Sequence, residues 1–157
     1  AFTHINGFGT FDTAYLNGVI EEEIYIRPQE GFIQAGEERK VCRLNKAIYG
    51  LRRSGRSWRK TLSNFLTKIG FKNLNSDPCI FKKSQENDKV IIGVYVDDLI
   101  MISSKMENIE KIKNELKAQY KMKDLGDISQ LIGLKIERIR DQTKISSYTR
   151  KTTSRKY

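Results

Sequence analysis

Val90-Ile91-Ile92-Gly93-Val94-Tyr95-Val96-Asp97-Asp98-Leu99-Ile100-Met101-Ile102-Ser103 sets two apolar, β-branched runs on either side of an acidic pair. That pattern predicts a buried β-hairpin with Asp97 and Asp98 at its end. Adjacent ionised carboxylates repel and are costly to hold beside apolar strands, so they need open solvent or a cation. Mg²⁺ suits them, because it takes hard oxygen ligands and binds through one or two carboxylates plus the phosphates of a substrate. The same two residues serve equally as turn formers that tolerate a left-handed backbone. The local pattern leaves both readings open.

Working outward, Cys79-Ile80-Phe81 predicts a strand beside the first arm of the hairpin, reached across a loop over residues 84–88. Ser104 and Glu107 have capping-box spacing and open a helix over residues 105–120, with Ile109, Ile112 and Leu116 on one face. Residues 131–139 and 144–148 read as a second hairpin about Asp141-Gln142. On the other side, Trp58, Leu62, Phe65, Leu66 and Ile69 recur at helical spacing over residues 57–69, with Gly70 as the stop. Trp58 is then a core residue and not a base-stacking platform. Val41-Cys42-Arg43-Leu44 is a short strand, residues 28–38 a polar loop, and residues 21–27 an exposed strand whose Glu21-Glu22-Glu23 is a solvated edge. Phe11 to Leu16 reads as a strand end with Asn17-Gly18 as its turn. Residues 1–10 read as a loop or frayed start, 11–148 as the domain, and 149–157 as a basic, disordered tail. His4, the only histidine, has no partner in sequence and is given no role.

The 157 residues suffice for one domain with a real core. A formal net charge of +10 favours a polyanionic partner and says nothing about fold. The excess is concentrated: residues 39–60 carry nine cations and no acid, and residues 143–157 carry five and none. Arg52, Arg53, Arg56, Arg59 and Lys60 stand at a helix start, where cations and backbone N–H groups together meet phosphate well. Cys42 and Cys79 are far apart and lack zinc-site spacing, so both are expected as reduced thiols. No signal pattern and no membrane-length apolar run is visible, which makes an intracellular domain, cytoplasmic or nuclear, the default expectation.

Tyr95-Val96-Asp97-Asp98 in a hairpin resembles the catalytic motif of reverse transcriptases. Thr13-Ala14-Tyr15-Leu16-Asn17-Gly18 resembles motif A of the Ty1/copia class of retrotransposon polymerases, and Leu44-Asn45-Lys46-Ala47-Ile48-Tyr49-Gly50-Leu51 with Trp58 resembles its motif B. Ser76-Asp77-Pro78-Cys79, Asp124-Leu125-Gly126 and Ile132-Gly133-Leu134 match further landmarks in order. The resemblance implies an α+β fold like a polymerase palm: a mostly antiparallel sheet with two helices packed on one face. It implies RNA-directed DNA polymerisation by two-metal nucleotidyl transfer, in a truncated or degenerate copy, or else a palm remnant that binds nucleic acid without catalysis. Asp97, Asp98 and Asp12 would be the catalytic, Mg²⁺- or Mn²⁺-binding acids. Tyr15, Tyr49 and Gly50 would meet the nucleotide, and Arg52, Arg53, Arg56, Arg59, Lys60, Ile132 and Gly133 the nucleic acid. Partners would be an RNA or DNA template–primer, dNTP, and other polyprotein segments supplying fingers, thumb and RNase H. The family acid stands three positions before the Thr of Thr-Ala-Tyr, where this chain has Thr10, while Asp12 is one position before Thr13. A loss of two residues would account for that and move Asp12 by roughly 6–7 Å along a strand. Gly55 stands where the family has proline, so a looser helix start is expected.

Overall fold

The computed structural model describes residues 5–29, 31–33, 36, 39–85, 88–128, 130–131, 134–135 and 149–150. In chain order its elements are β1 (Ile5–Phe11), a 3₁₀ turn (Ala14–Asn17), β2 (Tyr25–Ile26), β3 (Cys42–Arg43), α1 (Ser54–Lys68), β4 (Lys72–Asn73), β5 (Ile80–Gln85), β6 (Asp88–Tyr95) and β7 (Asp98–Ile102). There follow α2 (Met106–Gln119), β8 (Met122–Gly126), β9 (Gln130–Leu131), β10 (Leu134–Lys135) and β11 (Thr149–Arg150). Six strands form one antiparallel sheet in the order β4-β5-β6-β7-β1-β8. Period-two alternation along β6 and β7 sends Val90, Ile92, Leu99 and Met101 into the core. Trp58, Leu62 and Leu66 of α1 and Ile109, Ile112 and Leu116 of α2 pack in the same cluster. Burying each such side chain contributes about 1.5–3 kcal/mol. Both helices therefore cover one face, and the fold is α+β as expected.

The largest departure from expectation is β1. Residues 1–10 read as a loop because Gly7 and Gly9 break every apolar period, yet Ile5–Phe11 is an interior strand paired with β7 on one side and β8 on the other. Close approach explains the glycines. A Cβ on Gly7 would stand 2.9 Å from Ile109 Cγ2 of α2, and one on Gly9 2.7 Å from Met122 Cε. Lys113 of α2 lies buried over the same strand, with Nζ 3.0 Å from Asp124 and 3.2 Å from Glu110. Burial pushes its pKa down, but these two carboxylates outweigh burial and the net shift is upward.

Smaller corrections concern helix and strand ends. Phe11 closes β1, and the chain then enters a 3₁₀ turn through Thr13 at φ 52°, instead of continuing as a strand to Leu16. Helix α1 starts at Ser54, earlier than residue 57, with no side-chain cap. The capping box on Ser104 is not made: Lys105 caps α2 without a side-chain bond, and the Ser104 hydroxyl donates to Asp88 instead. The exposed strand over residues 21–27 shrinks to Tyr25–Ile26, which pairs only with Cys42–Arg43. Thr149 and Arg150, expected in a disordered tail, pair with Lys135 and Leu134, and those two residues also pair back on Gln130 and Leu131, so residues 131–139 are not one continuous strand. The turn of that second hairpin, Ile132 and Gly133, His4, and residues 151–157 lie outside the described residues. Cys42 and Cys79 are free thiols.

Candidate functional site

Tyr95 pairs with Asp98, so the two-residue turn of the acidic hairpin is Val96-Asp97 and Asp98 is already the first residue of β7. Three groups fix this end of the sheet. Trp58 Nε1 donates to the Val96 carbonyl at 2.8 Å, the Phe11 N–H donates to the Asp97 carbonyl at 2.8 Å, and the Tyr49 hydroxyl reaches both Asp97 carboxylate oxygens, at 2.9 and 3.1 Å. Trp58 is thus the core residue the periodicity predicts, with a polar handle on the turn. The Tyr49 ring lies on Tyr15, centroids 4.4 Å apart and tilted by 33°. Gly55 lies beside this pair, where an added Cβ would make ordinary contact with the Tyr15 hydroxyl at 3.4 Å. Partial burial, then the bond to the Asp97 carboxylate and its charge, push the Tyr49 pKa up. Tyr15, Tyr49 and Asp97, picked out separately in sequence, are brought together.

The third carboxylate is not. Asp98 faces Thr10 across β7 and β1, and Thr10 faces Lys123 across β1 and β8. Directly opposed residues share a face. Phe11 turns to the helix side against Trp58 and Tyr120, so this row lies on the uncovered side. Asp12 follows the end of β1, and its carboxylate lies 3.4 Å from Lys121 Nζ and 3.5 Å from Lys123 Nζ. Among the described residues no three His, Cys, Asp or Glu side chains stand close enough to share a metal ion. The residues present do not fit a two-ion centre in this arrangement: Asp97 is engaged by a tyrosine, Asp12 by two lysines, and the position opposite Asp98 carries a hydroxyl.

Arg52, Arg53, Arg56, Arg59 and Lys60 all lie exposed at and around the start of α1. Sequence reasoning missed what faces them. Glu21 pairs with Lys60, Glu22 with Arg53, and Glu23 with Arg43 at 3.0 Å. The hydrogen bond and charge of Lys60 lower the Glu21 pKa. A groove of about 550 Å³ runs between the two groups, lined by Glu21, Glu22, Arg52, Arg53, Arg56 and Lys60 among others. No carboxylate among the described residues pairs with Arg52, Arg56 or Arg59. The only available signal was the match of three consecutive acids to an acid-free basic stretch.

An α+β domain whose sheet ends in adjacent carboxylates, a tyrosine pair and a cationic helix start defines the class. Residues 9–153 match the family described as reverse transcriptase (RNA-dependent DNA polymerase), and the chain belongs to that family. Its relatives are of the Ty1/copia type. It is 40% identical over 134 residues to the Retrovirus-related Pol polyprotein from transposon TNT 1-94 of Nicotiana tabacum, covering 85% of this chain and 10% of that one. It is 34% identical over 125 residues to the Putative transposon Ty5-1 protein YCL074W of Saccharomyces cerevisiae, covering 80% of this chain and 41% of that one. The Transposon Ty1-BL Gag-Pol polyprotein of the same yeast is 35% identical over 133 residues, which is 80% of this chain and 7% of that polyprotein. The chain therefore spans less than half the length of each of these relatives. No solved structure matches. Among the described residues no helix is long and apolar enough to cross a membrane.

Proposed function

We propose that this chain is the palm segment of a copia-type reverse transcriptase and that its own contribution is to hold a nucleic-acid strand by its phosphates. The observation that carries the reading is the cluster of five cations at the start of α1, on the helix whose Trp58 anchors the acidic turn. Phosphate contacts position a strand without reading its sequence. Binding to single-stranded and duplex nucleic acid should show little sequence preference and weaken steeply with salt, log K falling against log salt with a slope of roughly −3 to −4 if about four phosphates are neutralised. Changing Arg52, Arg53, Arg56 and Arg59 together to Gln should abolish most of that dependence. A slope near zero in the unaltered chain would overturn the proposal.

A second reading, RNA-directed DNA polymerisation, is favoured by Asp97 and Asp98 standing adjacent at the hairpin end and by the family itself. It requires a third carboxylate beside them and segments supplying fingers, thumb and RNase H, for which the larger Pol polyproteins of the relatives are the natural source. The test is primer extension on an RNA template with Mg²⁺ or Mn²⁺, with Asp97→Asn as control. Extension by the unaltered chain, lost in that variant, would establish polymerisation in place of binding alone.

A further inference from the structure

Glu21, Glu22 and Glu23 reach three cations that the chain contributes from separate places: Lys60 inside α1, Arg53 at its cap and Arg43 on β3. The acids lie in a segment that is neither helix nor strand, between the isolated bridge of Val19 to Lys46 and β2. All three carboxylates lie more than half exposed, as do their partners, so water and salt already compete for them. Two of the three pairs line the groove that Arg52 and Arg56 also line.

We propose that Glu21 and Glu22 act as an internal stand-in for a phosphate backbone, occupying Lys60 and Arg53 until a nucleic-acid strand displaces them from the groove. The proposal rests on the phosphate-binding reading above and adds a regulator to it. The acids lower affinity for every polyanion at this site, weak ligands and short fragments most. A strand long enough to meet Arg52, Arg56 and Arg59 as well replaces the carboxylates and keeps the cations.

The experiment is a titration of labelled single-stranded oligo(U) into the full chain at low salt. It uses the unaltered chain, the pair Glu21→Gln with Glu22→Gln, and the pair Glu107→Gln with Asp127→Asn. Both pairs remove two negative charges, but Glu107 and Asp127 are exposed acids away from the groove. The first pair should bind about tenfold more tightly than the unaltered chain and show a steeper salt dependence, whereas the second should gain about twofold from net charge alone. Equal gains in both pairs would overturn the proposal, because general charge would then account for the effect. Binding by the unaltered chain with no gain in the first pair would overturn it while leaving the phosphate-binding reading intact. Binding by none of the three chains would overturn both.

Discussion

Asp88 opens β6 as a carboxylate only 4% exposed, ringed by donors from the far end of β7 and from α2. Ser103 Oγ, Ser104 Oγ and N–H, Asn108 Nδ2 and the Lys89 N–H all donate to it. Burial raises its pKa, but the bonds from Ser103, Ser104 and Asn108 together outweigh burial and hold the carboxyl well below the usual range. Replacing Asp88 by Ala leaves several of these donors without partners and should cost about 3 kcal/mol in urea unfolding. A loss below about 1 kcal/mol would mean that water satisfies them. The sign of the pH effect follows from the lowered folded-state pKa. The contribution is complete above the unfolded-state value near 4 and is lost as pH falls below it, so an Asp88→Asn variant should lose less stability between about pH 4 and 2 than the parent. In sequence Asp88 sits in what reads as a loop, and Ser104 reads as a helix cap. Their shared purpose was hidden because the partners are brought together only by strand pairing. Asp97 and Tyr49 were each legible in their own motifs, but their pairing across 48 positions was not.

At the scale of elements, the acidic hairpin was legible because its two runs are continuously apolar and rich in β-branched residues, while its turn was misplaced by one residue. The cause is Val96, a β-branched residue held at φ 53° where glycine or asparagine would be expected. Trp58 and Phe11, both distant in sequence, hold the turn through its two carbonyls. A left-handed non-glycine residue costs roughly 1–2 kcal/mol, and glycine returns roughly half of that in the unfolded chain. Val96→Gly should therefore raise stability by about 0.5–1 kcal/mol in urea unfolding. A fall of the same size would show that the half-exposed valine packs usefully where it is. Such strain next to Asp97 is the kind retained at a working site. Strand β1 was illegible for the opposite reason. Its glycines are selected by the approach of α2 and Met122, and nothing local to them announces a strand.

Across the whole molecule, stability should be uneven. The central strands β6 and β7 are paired on both sides and backed by the core, whereas β2 and β3 pair only with each other and leave Tyr25 and Cys42 exposed. Hydrogen exchange should find amides of β6 and β7 protected close to the global limit and those of β2 and β3 opening far below it. Uniform protection would show that the two-stranded piece unfolds only with the rest. Both helices could be read from periodicity, the α+β class from the family resemblance, and the basic cluster from composition. The strand order could not, because it depends on β1 docking between two strands that follow it in the chain. Thr10 meets Asp98 only after the chain closes a loop of almost ninety residues, at an entropic cost on the order of 4 kcal/mol. Until then β7 and β8 present open hydrogen-bonding edges, and a sheet lacking its inserted strand is a template for other chains. A fragment cut after Phe11 should consequently self-associate into strand-swapped or aggregated species, so solubility in this domain depends on its least strand-like stretch.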